Sequence, residues 1–153
     1  MQKSPVKIDV SIRKQELKVR RARKIIRRYP VSSSRFGLGA EAGSNKTPLG
    51  KFRISDKIGA EAPTGTVFVG RVALGPTDEL PQTEDFVLSR ILWLDGLESR
   101  NANTRDRFIY IHGTKHEDKI GQPNSHGCIR MRNADVIELF ELVDVGTLVT
   151  IKR

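Results

Sequence analysis

The sequence has a single cysteine, Cys128, and no long apolar run. One thiol cannot form an intramolecular disulfide, but 153 residues are enough to bury a core without one. No apolar stretch approaches the ~20 residues that a membrane-spanning helix requires, so no membrane span is expected. The amino terminus also lacks the apolar core of a secretory signal peptide, so either export is directed in another way or the chain is trimmed.

Aromatic residues make up only 6% of the chain, and its excess positive charge is confined to the first fifth. Residues 1–30 contain eleven Lys or Arg and two acidic residues, whereas the remaining residues contain sixteen of each sign. This basic block predicts either a solvated strand face that discourages edge pairing, which we favour, or a surface that attracts an acidic cell wall or a nucleic acid. Because Tyr29 is its only aromatic residue, base-stacking platforms are lacking and nucleic acid is not an expected partner.

Short stretches of alternating apolar residues predict a mainly β protein. Residues 6–31 are expected to form an antiparallel meander of three strands with basic side chains in water. Further strands are predicted to begin near Phe52 and to cover residues 66–72, 86–94, 107–112 and 147–151. Two acidic or polar stretches, residues 75–85 and 95–106, are expected to be loops, the second of them exposed.

One helix is predicted, over about residues 133–144. Asn133 is expected to be its N-cap and Gly146 to end it, and apolar residues at helical spacing indicate a core-facing side. Since strands do not alternate with helices along the chain, the pattern favours a sandwich or barrel in a single domain over residues 1–153.

The chemically distinctive residues are concentrated in residues 125–131, with His112 and Gly113 upstream. A thiol is a strong nucleophile only as the thiolate, which an adjacent imidazole can generate by accepting the proton. Both His112 and His126 are candidates for that imidazole. Gly127 would allow close approach of a substrate carbonyl, with the N–H groups of Gly127 and Cys128 as oxyanion donors. Arg130 would place a cation on the side of the strand that carries Cys128.

Three interpretations of this cluster compete. Cys128 is a buried structural thiol, a zinc ligand together with histidines, or a catalytic nucleophile. His112 and His116 are four residues apart, but they lack the Glu of a helical zinc-protease motif, so no metal is expected. Ser125 is a poor rival nucleophile, because the glycines of a Gly-x-Ser-x-Gly turn are absent.

The motif resembles that of a known family. The run over residues 109–114, followed by Gly121, Pro123 and residues 125–131, resembles the active-site signature of the L,D-transpeptidase (YkuD-type) catalytic domain. Further blocks resemble that family in the same order: residues 29–34, 47–52, 91–94 and 145–149. The resemblance implies a β-sandwich of two mixed sheets, with an active-site segment over residues 107–131 and a helix packed beside the cysteine loop.

The resemblance also implies roles for the candidate residues. Cys128 would be the acylated nucleophile and His112 the general base, oriented by a backbone carbonyl near Gly113. Ser125 and His126 would shape the nucleophile loop, and Arg130 would anchor substrate. The implied reaction attacks a peptidoglycan tetrapeptide stem, releases its terminal D-Ala and transfers the acyl group to a side-chain amine.

Several consequences and alternatives accompany this expectation. Carbapenems are expected inhibitors, no cofactor is implied, and the protein would be a monomer in the bacterial envelope or periplasm. Hydrolysis by water, giving an L,D-carboxypeptidase, is the first alternative. A basic module that binds cell wall or nucleic acid and has an inert thiol is the alternative of another class.

Overall fold

The computed structural model describes residues 5–76 and 86–153, in which ten β-strands and one α-helix are placed. The strands are β1 (Val6–Ser11), β2 (Glu16–Arg21), β3 (Lys24–Ser32), β4 (Gly50–Ile58), β5 (Thr66–Val69), β6 (Val72–Pro76), β7 (Val87–Gly96), β8 (Tyr110–Gly113), β9 (Ile129–Met131) and β10 (Leu148–Lys152). The helix α1 covers Asn133–Leu142. Within these two described ranges, no helix has the length and apolar character needed to cross a membrane.

Eight of the strands form a closed ring in the order β4, β10, β1, β2, β3, β9, β8 and β7, and β7 pairs with β4 to complete it. The pairs β1–β10 and β8–β9 are parallel, and the other neighbours are antiparallel. The hairpin of β5 and β6 extends outward from β7. The expectation of a mainly β fold with mixed strand directions is confirmed, and hydrogen bonding runs continuously around a barrel-like sheet.

The amino-terminal meander follows from the alternation in its sequence. Ile8, Val10, Leu17 and Val19 point into the ring and are almost fully buried, while the charged residues that alternate with them, Asp9 and Lys18, face outward. β1 and β2 each have a hydrogen-bonded neighbour on both sides, whereas β3 pairs with β9 only at Val31 and Ser32. The first part of β3 is therefore open on one side.

One predicted strand is wrong in its extent. Residues 66–72 form not one strand but the arm and turn of the β5–β6 hairpin, because Gly70 and Arg71 have φ of +54° and +68°. Two successive positive φ angles are typical of a tight hairpin turn. The predicted acidic loop over residues 75–85 begins within β6, and its residues 77–85 lie outside the described part of the chain.

The helix is present, but its ends differ from the prediction. Arg132 is the N-cap and Asn133 is the first helical residue. The Asn133 side chain connects neighbouring elements instead of capping α1: Nδ2 donates to the Thr114 carbonyl at 2.8 Å, and Oδ1 accepts the Ser89 hydroxyl at 2.7 Å.

The carboxyl end of α1 lies at Leu142, where the extended backbone of Val143 ends the helix before Gly146 is reached. Three buried side chains of α1, Val136, Leu139 and Phe140, join the main core cluster. The helix is core-facing, as predicted.

The loop over residues 95–106 is not uniformly exposed, contrary to expectation. Asn101 and Thr104 are fully buried. Asn101 Nδ2 donates to the carbonyls of Leu49 (3.2 Å) and Lys51 (3.1 Å), and its Oδ1 accepts the N–H of Glu98 at 3.0 Å. Because polar side chains are buried only when bonded, this loop folds back and ties the start of β4 to the end of β7.

The strands β7 and β8 are apolar on both faces. Their inner side chains, Leu92, Leu94 and Ile111, join the main cluster inside the ring. Their outer side chains, Ile91, Trp93 and Tyr110, form a second cluster with Phe68 of the β5–β6 hairpin. Cys128 packs against the edge of this second cluster.

Candidate active site

Cys128 immediately precedes β9 and is partly buried. Its Sγ accepts the backbone N–H of Tyr110 at 3.3 Å and lies 3.4 Å from the carbonyl oxygen of Phe108. These contacts fix the sulfur beside the start of β8, on the face that carries the second apolar cluster. The Tyr110 N–H can stabilise a thiolate, and the neutral thiol can instead donate to the Phe108 carbonyl.

His112 follows Tyr110 by two residues on β8, so both side chains lie on the same face as Cys128. The imidazole is 2% exposed, and its Nδ1 lies 2.5 Å from the carbonyl oxygen of Gly113. A carbonyl oxygen only accepts, so Nδ1 carries the proton and Nε2 is left as the basic nitrogen. The general-base tautomer follows from this geometry.

Arg130 lies beside His112, because the two residues are register partners on the parallel strands β8 and β9. Side chains of register partners point to the same face of a sheet. Arg130 is only 2% exposed. A buried cation therefore lies next to His112.

Gly113 permits the close approach of α1 to the end of β8. A Cβ placed there would lie 2.3 Å from Asn133 Oδ1 and 2.7 Å from the Leu88 carbonyl oxygen. Those distances are far inside van der Waals contact. The glycine therefore sets the position of the carbonyl that orients His112.

Two hydroxyl groups hold the loop that carries Cys128, one from the loop itself and one from a distant segment. Ser125 Oγ donates to the Cys128 carbonyl at 2.6 Å and accepts the Gly127 N–H at 3.2 Å, while Gly127 adopts φ of +126°. The Thr47 hydroxyl donates to the Gly127 carbonyl at 2.9 Å and accepts the Ser34 N–H at 2.9 Å. The Gly127 N–H is engaged within the loop, so its expected role as an oxyanion donor is not supported; a left-handed backbone conformation is what Gly127 supplies.

His126 occupies the rim and is exposed. Its Nε2 lies 2.6 Å from a guanidinium nitrogen of Arg35, and its ring centroid lies 5.7 Å from that of Phe36. Because guanidinium only donates, Nε2 acts as the acceptor in this contact. Of the two candidate imidazoles, His112 is the one with a buried, oriented ring.

A cleft of about 260 Å³ opens beside the sulfur, with Asn45, Arg107, Phe108, His126 and Cys128 in its wall. The sequence interpretation placed Arg107 and Phe108 in a strand, but β8 begins only at Tyr110. Phe108 has φ of +56° in the preceding turn and is half exposed. This turn bends the chain so that residues 106–109 line the cleft rather than extend the sheet.

Arg107 is a cleft residue that the sequence analysis missed. Its guanidinium donates to the carbonyls of Lys46 at 2.7 Å and Gly39 at 3.3 Å. Burial lowers the pKa of Arg107, and attraction to Cys128 opposes that shift. The only signal in the sequence was a basic residue just before the strand that delivers His112.

The zinc alternative considered for the histidines and Cys128 needs at least three converging ligands. Throughout residues 5–76 and 86–153, no group of three or more His, Cys, Asp or Glu side chains is arranged to hold a metal ion. The cleft itself is lined by the Cys128 thiol, the His126 imidazole and the Arg107 guanidinium, and His112 and Arg130 are not among its lining residues. A thiol beside a cation is suited to acyl transfer through sulfur.

Comparison with known proteins agrees with this geometry. Residues 5–151 match the family model of the L,D-transpeptidase catalytic domain. The chain belongs to the L,D-transpeptidase catalytic-domain family. Among curated L,D-transpeptidase relatives, the putative L,D-transpeptidase YqjB of Bacillus subtilis is 48% identical over 52 residues, which cover 33% of this chain and 30% of the relative. The match thus spans under a third of that relative's length.

Solved L,D-transpeptidase structures share the fold. The Xylanimonas cellulosilytica L,D-transpeptidase superposes with a TM-score of 0.65 at 20% identity, covering 99% of this chain and 62% of that one. L,D-transpeptidase 3 of Mycobacterium tuberculosis, in complex with a faropenem-derived adduct, superposes with a TM-score of 0.62 at 18% identity. The superposition covers 97% of this chain and 60% of that one. At these identities the likeness establishes the barrel-like fold with its single helix.

Proposed function

We propose that this chain is a cysteine-dependent L,D-transpeptidase that acts on peptidoglycan tetrapeptide stems. The observation that carries the proposal is a positioned thiol and an oriented imidazole on neighbouring parallel strands, since Cys128 immediately precedes β9 and His112 lies on β8. Cys128 Sγ receives the Tyr110 N–H at 3.3 Å, and the Nδ1 contact of His112 with the Gly113 carbonyl leaves Nε2 basic. Membership of the L,D-transpeptidase family supplies the substrate class.

The first half-reaction forms a thioester. The Cys128 thiolate attacks the carbonyl of the L-centre of the third stem residue, forming a C–S bond. The C–N bond to the terminal D-Ala then breaks, and His112 gives its proton to the leaving amine. The Cys128 N–H is the remaining backbone candidate for holding the oxyanion, because the Gly127 N–H donates to Ser125 Oγ.

The second half-reaction regenerates the enzyme. A side-chain amine of a neighbouring stem attacks the thioester carbonyl while His112 takes a proton from it. A C–N bond forms, the C–S bond breaks and the thiolate is released, giving a cross-link between two third-position residues. Water in place of the amine would give L,D-carboxypeptidase activity at the same site.

Two arginines assist this chemistry. Arg107, in the cleft wall, would stabilise the thiolate, since it attracts Cys128. Arg130 is fixed beside His112 by strand register and would anchor the stem carboxylate. The reaction needs no metal or organic cofactor, and a monomer in the cell envelope or periplasm suits a substrate found in the wall.

The test is intact-protein mass spectrometry after incubation with a carbapenem, a thiol-acylating mimic of the donor stem. We expect a covalent adduct on the wild type, none on Cys128→Ala, and acylation slowed about a hundredfold or more in His112→Ala, as for loss of a general base. His126→Ala is the matched control and should acylate at close to the wild-type rate, since His126 lies on the rim.

The substrate class is tested next with a tetrapeptide stem, with and without an amine acceptor. Release of D-Ala with cross-linked product supports transpeptidation, and release with tripeptide alone supports hydrolysis. A well-folded wild type that forms no adduct and releases no D-Ala would overturn the proposal and favour a binding module with an inert thiol.

A further inference from the structure

The outward side of five neighbouring strands, β4, β10, β1, β2 and β3, carries a surface that the proposed catalysis does not use. We call it the basic face, and it is defined by the outward-pointing cations Lys7, Lys18, Arg20, Arg28, Lys51, Arg53 and Lys152. Strand register places these cations in contiguous rows: Lys7 is opposite Arg20, and Lys18 is opposite Arg28. Four of these seven cations, Lys7, Lys18, Arg20 and Arg28, come from the basic block of residues 1–30.

Edge protection accounts for at most one cation of the basic face. Charged residues discourage aggregation where a strand is unpaired, and β3 pairs with β9 only at Val31 and Ser32, so Arg28 lies on a partly open edge. The other six cations lie on β4, β10, β1 and β2, which have hydrogen-bonded neighbours on both sides. Net solubility does not require the charges to be aligned on one side either. The remaining explanations are a simply solvated surface and a binding surface.

The charges on the basic face are incompletely balanced. Arg20 pairs with Asp9, both Lys18 and Arg28 approach Glu16, and Arg53 pairs with Asp95. Lys7, Lys51 and Lys152 are exposed and make no ion pair with any carboxylate that the structure describes. Exposed ion pairs contribute little stability, so an incoming anion would compete readily for the paired cations as well.

The basic face is also indented. One depression of about 320 Å³ is lined by Lys18, Arg20 and Lys152 together with Glu16, and a second of about 210 Å³ is lined by Lys7, Arg20 and Lys51. Both include Asp9 and Arg20, so they adjoin across the middle of the sheet. Two adjoining depressions lined by cations fit an extended, flexible polyanion better than a single ion.

The chemistry of the side chains narrows the class of polyanion. The outward positions of these five strands carry no aromatic residue, so nucleobases would find no stacking surface. Lys and Arg on a strand face instead match a repeated phosphodiester, which carries one charge per unit and needs only N–H donors. A polymer of phosphodiester-linked polyol units meets this description without bases.

We propose that the basic face binds a linear polyol-phosphate polymer, on strands that do not carry Cys128 or His112. Binding there would hold the protein near a polyanionic matrix while the cleft remains open to its own substrate. The interaction is electrostatic, so it weakens steeply with salt and depends on Lys7 and Lys51 in particular. It goes beyond the proposed transpeptidation and does not require it.

The experiment measures binding of the full chain to fluorescently labelled poly(glycerol phosphate) by anisotropy, with an uncharged polyol and a single-stranded oligonucleotide as comparisons. Raising salt from about 50 to 200 mM should weaken binding about tenfold or more if three or more phosphates are contacted. The variant Lys7→Gln/Lys51→Gln should lose about fivefold or more in affinity at the lower salt. The control Lys119→Gln/Arg132→Gln removes the same charge from exposed positions outside the basic face and should lose less than twofold.

Each result decides the matter. An equal loss in both double variants would mean that net charge alone acts, and absence of binding at low salt would mean a solvated surface; both overturn the proposal. Tighter binding of the oligonucleotide, with the same dependence on Lys7 and Lys51, would overturn it in favour of a nucleic-acid surface. Carbapenem acylation of Cys128 is measured on the same samples and should be unchanged in both double variants, so failure here is distinct from failure of the proposed catalysis.

Discussion

Arg71 reaches from the tip of the β5–β6 hairpin to Tyr110, donating a hydrogen bond from Nη1 to the phenol oxygen at 3.1 Å. The same guanidinium lies over the rings of Trp93 at 4.7 Å and Phe108 at 5.2 Å. Tyr110 in turn donates its backbone N–H to Cys128 Sγ. The tip of the hairpin is thus held near the proposed nucleophile by the Arg71 cation, in addition to the pairing of β5 with β7.

We expect Arg71→Gly to speed hydrolysis of the carbapenem adduct several-fold, because a released hairpin admits water to a thioester that packing now shields. Glycine suits the positive φ at this position, so the variant removes the side chain without adding backbone strain. The measurement is adduct decay followed by mass spectrometry. Arg71→Lys keeps a cation and should decay at an intermediate rate; decay at the wild-type rate in both variants would show that Arg71 does not fasten the hairpin.

Replacing Arg107 should alter the pH dependence of acylation. Loss of its cation beside Cys128 disfavours the thiolate, so in Arg107→Gln the acid limb of the rate profile should move to higher pH. If the acid limb moves by up to about one pH unit, the thiolate fraction and the rate at neutral pH should fall about tenfold or less. The rate should recover in alkali, where the thiol is ionised in both proteins. Arg105→Gln removes another cation, one that lies over Trp93, and should leave the profile unmoved. A profile that stays fixed in Arg107→Gln would contradict the assigned role.

Gly113→Ala should destabilise the fold and slow acylation together. Its new Cβ would meet Asn133 Oδ1 and the Leu88 carbonyl, and overpacking of this kind costs about 1–3 kcal/mol. Gly39→Ala is the control, because there the Cβ would meet only the ends of the flexible side chains of Glu41 and Lys46. Urea unfolding reports the stability of both variants. Equal stability of the two would mean that the approach of α1 to β8 is not tight.

Loss of the Tyr29 phenol proton should lower the free energy of unfolding in alkali. Burial and the hydrogen bond to Glu138 raise the pKa of Tyr29 above its ordinary value of 10.0. The folded state therefore holds the phenol proton more tightly than the unfolded state, so this contribution is complete below pH 10 and is lost as the pH rises further.

Tyr29→Phe removes both the bond and its pH dependence. We expect a loss of about 1–2 kcal/mol at neutral pH that shrinks above pH 10, measured by urea unfolding across that range. A deficit for Tyr29→Phe that stays constant with pH would contradict the raised pKa.

The sequence was informative wherever a pattern repeats or a residue type is rare. Alternation at Ile8, Val10, Leu17 and Val19 predicted the meander, because successive side chains of a strand point to opposite faces and only one face of a half-buried strand is apolar. The resemblance implied that a carbonyl near Gly113 orients His112, and the Gly113 carbonyl lies 2.5 Å from Nδ1. The catalytic roles of Cys128 and His112 stay predictions until acylation is measured.

What the sequence left out depends on contacts between distant segments. Asn101 lies in a stretch that the sequence predicts to be an exposed loop. It is buried because its amide donates to two carbonyls at the start of β4, some fifty positions earlier in the chain. Arg107 lines the cleft only because Phe108 turns the chain at positive φ, which no local pattern indicates for a phenylalanine. The Gly127 N–H was expected to face substrate, and only the fold shows that Ser125 Oγ is its acceptor.

The position of β10 between β4 and β1 has a consequence for the order of folding. Ile8 pairs with Val149 and Phe52 also pairs with Val149, so the last strand of the ring joins segments formed much earlier. Before β10 is synthesised, β1 and β4 each have an unpaired side, and the ring is open. Contacts of such long sequence separation fold slowly, so a nascent chain passes through a state with exposed edges that is prone to aggregation until its final strand leaves the ribosome.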